Sequence, residues 1–269
     1  MYLSPIHPDN ILIDDSNYSM YACPVGIAEK AHGRGYIPRD YEKYPEGTFA
    51  APFPLPTIVR GDWPDRIEEL DRTNGWPKDI KKMAGFDSLD QGQTNYCWIN
   101  APIQAVHYNR AGSGIVPHVP LSPASVGAKI KDFRNVGGWG SEGLEYLIKH
   151  GAVPQSVWPA NAIDRRFDTP EADAERPDYQ VTEWWELRAR DFSQLVSCLI
   201  YGYSVPIGLN WWSHEVLATK VYVVGADEFE IDIDNSWGTN WGENGHGRLS
   251  QSKATPDEAI SVRVCVVGE

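Results

Sequence analysis

The sequence predicts an α+β fold in which helices dominate up to about residue 201 and strands dominate after residue 205. Of its 269 residues, 42% are hydrophobic, which is enough to bury a sizeable core. Apolar residues recur at helical spacing in the first part, whereas alternating or β-branched segments fill the second. Periodicity and composition therefore agree on a mixed fold with its strands concentrated late in the chain.

Two short helices are predicted ahead of Cys97. One follows Asp62, with Pro64 in its first turn. The other follows Pro77 and places Ile80 and Met83 on its apolar face. Each ends before a glycine, which is a common helix stop.

Further helices and the strands follow from the same rules. A helix is predicted from Ser141, its cap, to His150, and another from Asp191, its cap, to Tyr201. Strands are predicted at 205–209, 216–224, 229–235 and 259–267. Because side chains alternate along a strand, Asn235 shares a face with the isoleucines before it, and Asp232 and Asp234 face the other way.

Residues 1–55 form a separate segment, rich in proline, tyrosine and glycine and without sustained periodicity. This composition predicts an irregular, extended N-terminal arm ahead of a domain at 56–269. No long helix with apolar residues spaced three and four apart is present in this segment. The arm is therefore expected to clasp the domain or to bind a protein partner.

Charge and cysteine content restrict partners and compartment. A net charge of -13 argues against nucleic acid or an anionic membrane as partner. No signal peptide and no apolar run near 18 residues is encoded. The four cysteines, Cys23, Cys97, Cys198 and Cys265, are too few and scattered for a disulfide framework, and no spacing suits zinc. We expect no metal or cofactor, and a location in the cytoplasm or in a particle assembled there.

Three residues stand in distinctive contexts and suit nucleophilic catalysis. Cys97 lies in QGQTNYCW (91–98), His214 opens HEVLA (214–218), and Asn235 opens NSWGTNWGENG (235–245). A thiol nucleophile needs an imidazole to take its proton and a polar group to orient that imidazole. A helix that begins near Cys97 would favour the thiolate, and Pro102 predicts a kink in it.

These motifs resemble those of the papain and cathepsin family of cysteine peptidases, from about Gly85 to the C-terminus. The resemblance implies a two-lobed fold, with a helical lobe at about 85–155, a β lobe at about 156–269 and a cleft between them. It also implies that Gln91, rather than Gln93, forms the oxyanion hole with the backbone N–H of Cys97. The chain departs from the family at Glu215, where a small apolar residue is usual.

Further site residues follow from the same resemblance. Gly137 and Gly138 match the glycines along which the substrate backbone runs, and Trp237 would shield the hydrogen bond from Asn235 to His214. Trp139 either walls a substrate subsite or packs in the core. The sequence therefore predicts a thiol protease, a hydrolase acting on peptide or protein substrates. The alternatives are a structural or binding subunit of a larger assembly, such as a viral particle, and an amide hydrolase of cell-wall peptides.

Overall fold

One mixed sheet contains all the strands found in residues 11–22 and 32–265, the part of the chain that the computed structural model describes. The strands are β1 (Leu12–Ile13), β2 (Ala51–Pro52), β3 (Val181–Leu187), β4 (Val205–Leu209), β5 (His214–Gly225), β6 (Glu228–Asp234), β7 (His246–Ser250) and β8 (Glu258–Cys265). They lie in the order β1-β7-β6-β5-β4-β8-β3-β2. The two edge strands pair in parallel and the inner neighbours pair antiparallel.

Helices surround this sheet, and one of them is buried at its centre. The α-helices are α1 (Tyr18–Ala22), α2 (Trp63–Thr73), α3 (Pro77–Ala84), α4 (Cys97–Gly112), α5 (Ala124–Ile130), α6 (Gly140–Lys149), α7 (Pro170–Glu175), α8 (Phe192–Ile200) and α9 (Gln251–Ala254). Ile99 and Ile103 of α4 join a core cluster with Leu217 of β5 and Ile260 of β8. The predicted α+β class is confirmed, and α4 is held firmly against the sheet that carries His214.

The predicted helices are all present, but two details of their faces differ. Asp191 caps α8 as expected, accepting a hydrogen bond from the backbone of Gln194 at 2.8 Å. Ser141 does not cap α6, because the helix begins one residue earlier, at Gly140, and the Ser141 hydroxyl donates to Glu258 at 2.5 Å. On α3, Met83 is 72% exposed, while Lys81 is buried. The expected apolar face of α3 is therefore wrong at Met83.

A network of buried charges replaces that apolar face. Lys78 pairs with Asp232 at 2.7 Å and Lys81 pairs with Asp234 at 2.9 Å. His246 contacts Asp232 through Nδ1 at 2.6 Å. Since both aspartates belong to β6 and point toward α3, their predicted orientation away from the isoleucines is confirmed.

Acid should weaken this network. Although burial works in the opposite direction, His246 and Lys78 lower the pKa of Asp232 to about 2 from 3.8. A carboxyl whose pKa is lower in the folded state stabilises fully above its unfolded pKa and loses that contribution as pH falls toward the folded value. We therefore expect stability to fall between about pH 4 and pH 2. Asp232→Asn should have a lower Tm than the wild type at pH 6, and its Tm should fall less steeply as the pH is lowered from about 4 to about 2. Equal slopes of Tm against pH in the two proteins would contradict the role given to Asp232.

The described part of the N-terminal arm is packed against the domain. β1 pairs with β7 at one edge of the sheet and β2 pairs with β3 at the other. Between them, the backbone of Tyr36 forms a parallel bridge with Gly138. The described part of the arm therefore contacts the domain at both edges of the sheet and at Gly138. The boundary at residue 55 stays a prediction. Cys23 lies outside the described residues.

Candidate active site

Cys97 is the first residue of α4, as the motif predicted, and its side chain is fully buried. Its sulfur accepts a hydrogen bond from the backbone N–H of Gly35 at 3.2 Å. A hydrogen bond from the backbone of Glu215, the residue after His214, also lowers the pKa of this thiol, against the larger effect of burial. The start of α4 thus meets the start of β5, and a segment of the arm covers the point where they meet.

His214 and Asn235 are joined by the pairing of β5 with β6. His214 Nε2 lies 2.8 Å from Asn235 Oδ1. With an amide oxygen as acceptor, Nε2 carries the hydrogen and Nδ1 keeps a lone pair. Within the described residues, Nδ1 is buried without a hydrogen-bond partner. Asn235 therefore holds the imidazole in the tautomer that can accept a thiol proton, although Cys97 bonds to Gly35 in this state.

Aromatic rings enclose the imidazole. Trp237 lies over His214 with ring centroids 4.8 Å apart, and Trp212 lies 4.9 Å away at a steep angle. Trp212 is fully buried and belongs to the core. His214 and Asn235 are both fully buried, and a hydrogen bond in such surroundings is stronger than one in water.

Gln91 is buried, and its side-chain amide is fully engaged. Its oxygen accepts a hydrogen bond from Ser236 at 2.5 Å. Its nitrogen donates to the carbonyl oxygens of Thr94 at 2.7 Å and Gly33 at 2.8 Å. Ser236 therefore orients the amide, and one of the donors expected for the oxyanion already holds a carbonyl oxygen from the arm.

The arm residues that do this form a continuous stretch, 32–37, which we call the cleft segment. Gly138 donates to Gly35 O at 2.9 Å, and Ile37 donates to Gly138 O at 2.9 Å. Gly33 donates to Gly92 O at 3.0 Å. The cleft segment thus lies between Gly138, to which it is bridged, and the nucleophile Cys97.

The same arm covers the other residues predicted to bind substrate. The ring of His32 stacks on Trp237 with centroids 5.3 Å apart and planes 11° apart. Tyr44 packs on Trp139 at 5.9 Å. An ideal Cβ on Gly137 would stand 2.3 Å from Gly35 O, so the backbones there are in close contact. All four predicted substrate residues therefore contact the arm.

Two glycines allow this close approach. An ideal Cβ on Gly33 would stand 2.0 Å from Thr94 O, and one on Gly35 would stand 1.9 Å from Asn95 O. Such distances leave no room for a side chain. The alternating glycines of the His-Gly-Arg-Gly-Tyr run were the one signal in the sequence for this contact, which the sequence analysis did not use.

Burial sets the protonation of the catalytic pair in this closed state. Burial raises the pKa of Cys97 to about 12, and the charge of Glu215 acts in the same direction. Burial lowers the pKa of His214 to about 3, opposed by its bond to Asn235. The expected thiolate is therefore absent here, since burial outweighs the helix terminus, and at neutral pH both groups are uncharged.

The described residues also bear on the question of metal-binding groups, membrane-spanning helices and free thiols. Within the described residues, no group of three or more His, Cys, Asp or Glu side chains could hold a metal ion. Across that same part of the chain, no helix has the length and apolar character needed to cross a membrane. Cys198 and Cys265 are buried free thiols, as expected.

Comparison with known proteins points to one fold. No family model matches the chain. A curated cysteine proteinase from Theileria parva is 25% identical over 217 residues, which cover 72% of this chain and 47% of that protein. The chain thus spans about half the length of this curated relative.

Solved structures extend the comparison. Xylellain, a cysteine protease from Xylella fastidiosa, matches with a TM-score of 0.60 and 19% identity, covering 90% of this chain and 99% of that one. Digestive procathepsin L 3 from the Tenebrio molitor larval midgut matches with a TM-score of 0.56 and 18% identity over 66% of each chain. The chain therefore has the fold of papain-like cysteine proteases, as its motifs predicted. The proteins that it resembles in sequence and in structure are cysteine proteases.

Proposed function

We propose that this protein is a thiol peptidase in which Cys97 is the nucleophile, His214 the base and Gln91 an oxyanion donor. The observation that carries the proposal is the hydrogen bond between His214 Nε2 and Asn235 Oδ1, which leaves the buried Nδ1 without a hydrogen-bond partner among the described residues. Ser236 supports it by orienting the Gln91 amide. The similarity to cysteine proteases agrees with this chemistry.

The proposed reaction proceeds through an acyl-enzyme. His214 Nδ1 takes the thiol proton as Cys97 Sγ bonds to the substrate carbonyl carbon, and Gln91 Nε2 with the Cys97 N–H stabilises the oxyanion. Collapse breaks the peptide bond, and the departing amine takes the proton from His214. Water then attacks the thioester while His214 accepts its proton, and the C–S bond breaks to release the acid and restore the thiol.

The cleft segment holds this machinery in a closed state. Gly35 donates its backbone N–H to Cys97 Sγ. Because an N–H group is not an electrophile, the thiol cannot attack it. Gly33 O accepts the hydrogen bond that Gln91 Nε2 would donate to the oxyanion, and the bridge from Tyr36 uses the backbone of Gly138. A peptide substrate needs the same groups, so the segment must leave before substrate binds. This explains how the arm can inhibit without the long helix that the sequence lacks.

Covalent labelling tests the proposal. Full-length protein treated with a peptide bearing a thiol-reactive epoxide is expected to gain one adduct, mapped to Cys97 by mass spectrometry. Cys97→Ala should gain none, and Cys198→Ala, which alters a buried core thiol, should label like the wild type. Absence of an adduct at Cys97 both in wild type and in a chain whose cleft segment has been displaced would contradict the proposal.

The filled cleft also favours a second candidate, a binding or structural subunit without turnover. A groove occupied by the protein's own backbone is a closed surface in which the nucleophile is protonated. This candidate requires that a displaced cleft segment leaves peptides uncleaved. Hydrolysis of any peptide by such a chain, lost in Cys97→Ala, would exclude it.

A further inference from the structure

Two buried carboxyl groups flank the position where the Tyr36 ring of the cleft segment rests on the sheet. Gly208 of β4 is paired in register with Glu215 of β5 on one side and with Glu258 of β8 on the other. Residues directly opposite on neighbouring strands project from the same face of a sheet. An ideal Cβ on Gly208 would stand 2.3 Å from the Tyr36 ring, so the ring tip takes the place of the missing side chain. Tyr36 therefore lies between Glu215 and Glu258, which we call the carboxyl pair.

In the closed state, each member of the carboxyl pair has one oxygen without a partner. Ser141 donates to Glu258 Oε1 at 2.5 Å. A backbone hydrogen bond from Gly140 favours the charged form of Glu215. Both side chains are almost fully buried, and among the described residues neither Oε2 atom has a hydrogen-bond partner. The hydroxyl of Tyr36 has none either, so the closed site offers an ionised pair neither water nor enough donors.

The cations on this side of the sheet do not neutralise the carboxyl pair. Arg39 contacts Glu186 at 3.2 Å, and although its charge lowers the pKa of Glu258, burial has the larger effect and raises it. On α6, Glu142 pairs with Lys131 at 2.6 Å. The other titratable groups that act on the carboxyl pair, or on the tyrosines that it faces, carry no positive charge, and they are Cys97, Tyr41, Glu46, Glu186 and Asp257.

The carboxyl pair therefore favours its protonated form while the cleft segment is in place. Burial raises the pKa of both groups, and at Glu215 the charge of Glu258 adds to that effect. Burial also raises the pKa of Tyr36, so the phenol stays neutral. The three atoms nearest to a Cβ on Gly208 all belong to Tyr36, so withdrawal of the ring opens that position to water. A hydrated carboxyl returns toward its ordinary pKa, and the open state then releases protons that the closed state holds.

We propose that the carboxyl pair is a pH switch for the cleft segment, which covers Cys97 while Glu215 and Glu258 are protonated and leaves as they ionise. A carboxyl that binds its proton more tightly in the closed state favours closure fully below its open-state pKa and loses that contribution as pH rises toward its closed-state pKa. Closure should therefore weaken from about pH 5 upward. For peptide hydrolysis, the consequence rests on the proposed function, and it is activation as pH rises.

Hydrogen exchange of the cleft segment measures closure. The backbone N–H groups of Gly33, Tyr36 and Ile37 all donate to residues of the domain when the segment is in place. In full-length protein between about pH 5 and pH 8, the exchange rate of residues 33–37, corrected for the intrinsic rate at each pH, gives a protection factor that reports the ratio of closed to open states. We expect this factor to fall by at least about tenfold across the range, the change for one carboxyl whose pKa differs by one unit between the states.

Glutamine variants assign that fall to the carboxyl pair, because glutamine keeps the shape of a protonated glutamate and does not titrate. Glu215→Gln and Glu258→Gln should each reduce the dependence of the protection factor on pH, and the double variant should remove most of it. Glu228→Gln changes an exposed carboxyl on β6 and should match the wild type. Cys97 and His214 are unaltered in all of these proteins, so a difference in slope belongs to the carboxyl pair.

The outcomes separate the switch from the proposed function. A protection factor that stays constant or rises from pH 5 to pH 8 would overturn the switch, and so would equal slopes in the wild type and the double variant. The wild-type curve needs no variant, so it decides the matter even if a glutamine variant fails to fold. Exchange needs no turnover, so failure of the switch leaves the peptidase proposal standing. Absence of an adduct at Cys97 would instead remove the consequence for hydrolysis and leave the exchange result intact.

Discussion

Gly35→Ala is expected to displace the cleft segment and to accelerate labelling of Cys97 by a peptide epoxide. A Cβ at this position would stand 1.9 Å from the backbone oxygen of Asn95, so the segment cannot stay where it is. Overpacking of this kind costs about 1–3 kcal/mol. That cost shifts the equilibrium between closed and open states by roughly 5- to 150-fold. Displacement also removes the burial that raises the pKa of Cys97, which increases the thiolate fraction.

Second-order rates of adduct formation at Cys97, followed by intact mass at neutral pH, measure this effect. Gly33→Ala, whose Cβ would stand 2.0 Å from Thr94 O, should behave in the same way. Gly61→Ala is the matched control, because no atom lies within 4 Å of its new Cβ. If Gly35→Ala and Gly33→Ala keep the wild-type labelling rate while remaining folded, the cleft segment does not limit access to the thiol.

Lys81→Met is expected to destabilise the fold without touching the site. Lys81 Nζ lies 2.9 Å from Asp234 Oδ2, and both side chains are buried. Removing the cation leaves a buried carboxylate without its main charge partner, which costs about 3–5 kcal/mol. Tyr108 still donates to Asp234 at 2.7 Å, so we expect about 3 kcal/mol, or a fall in Tm of roughly 10 °C.

Thermal unfolding at pH 7 gives the comparison. Lys82→Met, one residue along α3 and exposed, makes the same chemical change at a solvated position and should leave Tm nearly unaltered. Equal melting temperatures for Lys81→Met and wild type would show that the pair with Asp234 contributes little to stability. Equal falls in Tm for Lys81→Met and Lys82→Met would show that the effect comes from replacing a lysine in α3 and not from the pair with Asp234.

Much of the site was accessible from the sequence, because its members stand in short motifs whose geometry is local. Cys97 begins α4, and strand alternation correctly separated Asn235 from Asp232 and Asp234. The fold class and the resemblance to papain-like cysteine proteases are confirmed. The catalytic and substrate-binding roles stay predictions, although the structure brings Gln91 and His214 to the same covered region as Cys97.

The contacts that the sequence analysis missed are long-range. Lys81 finds Asp234 more than 150 positions away, and nothing in the local pattern of α3 distinguishes it from the exposed Lys82. Ser141 has the sequence of a helix cap, yet α6 begins one residue earlier and the Ser141 hydroxyl donates to a buried carboxyl group on β8. Tertiary partners override local preference in both cases, since an unpaired buried charge costs more than a missing cap.

The arm shows this limit most clearly. By itself, the sequence predicted helices α2, α3, α4, α6 and α8, strands β4, β5, β6 and β8, and the motifs around Cys97, His214 and Asn235, because periodicity and short-range geometry are written locally. It did not predict β1, β2, β3 or β7. Only the tertiary structure decided that Gly33 and Gly35 lie against the nucleophile and that Tyr36 lies between two carboxyl groups. The sequence of an extended segment does not indicate which other segment it will pair with. Its position depends on backbone hydrogen bonds and close packing with residues that the chain brings near only after it folds.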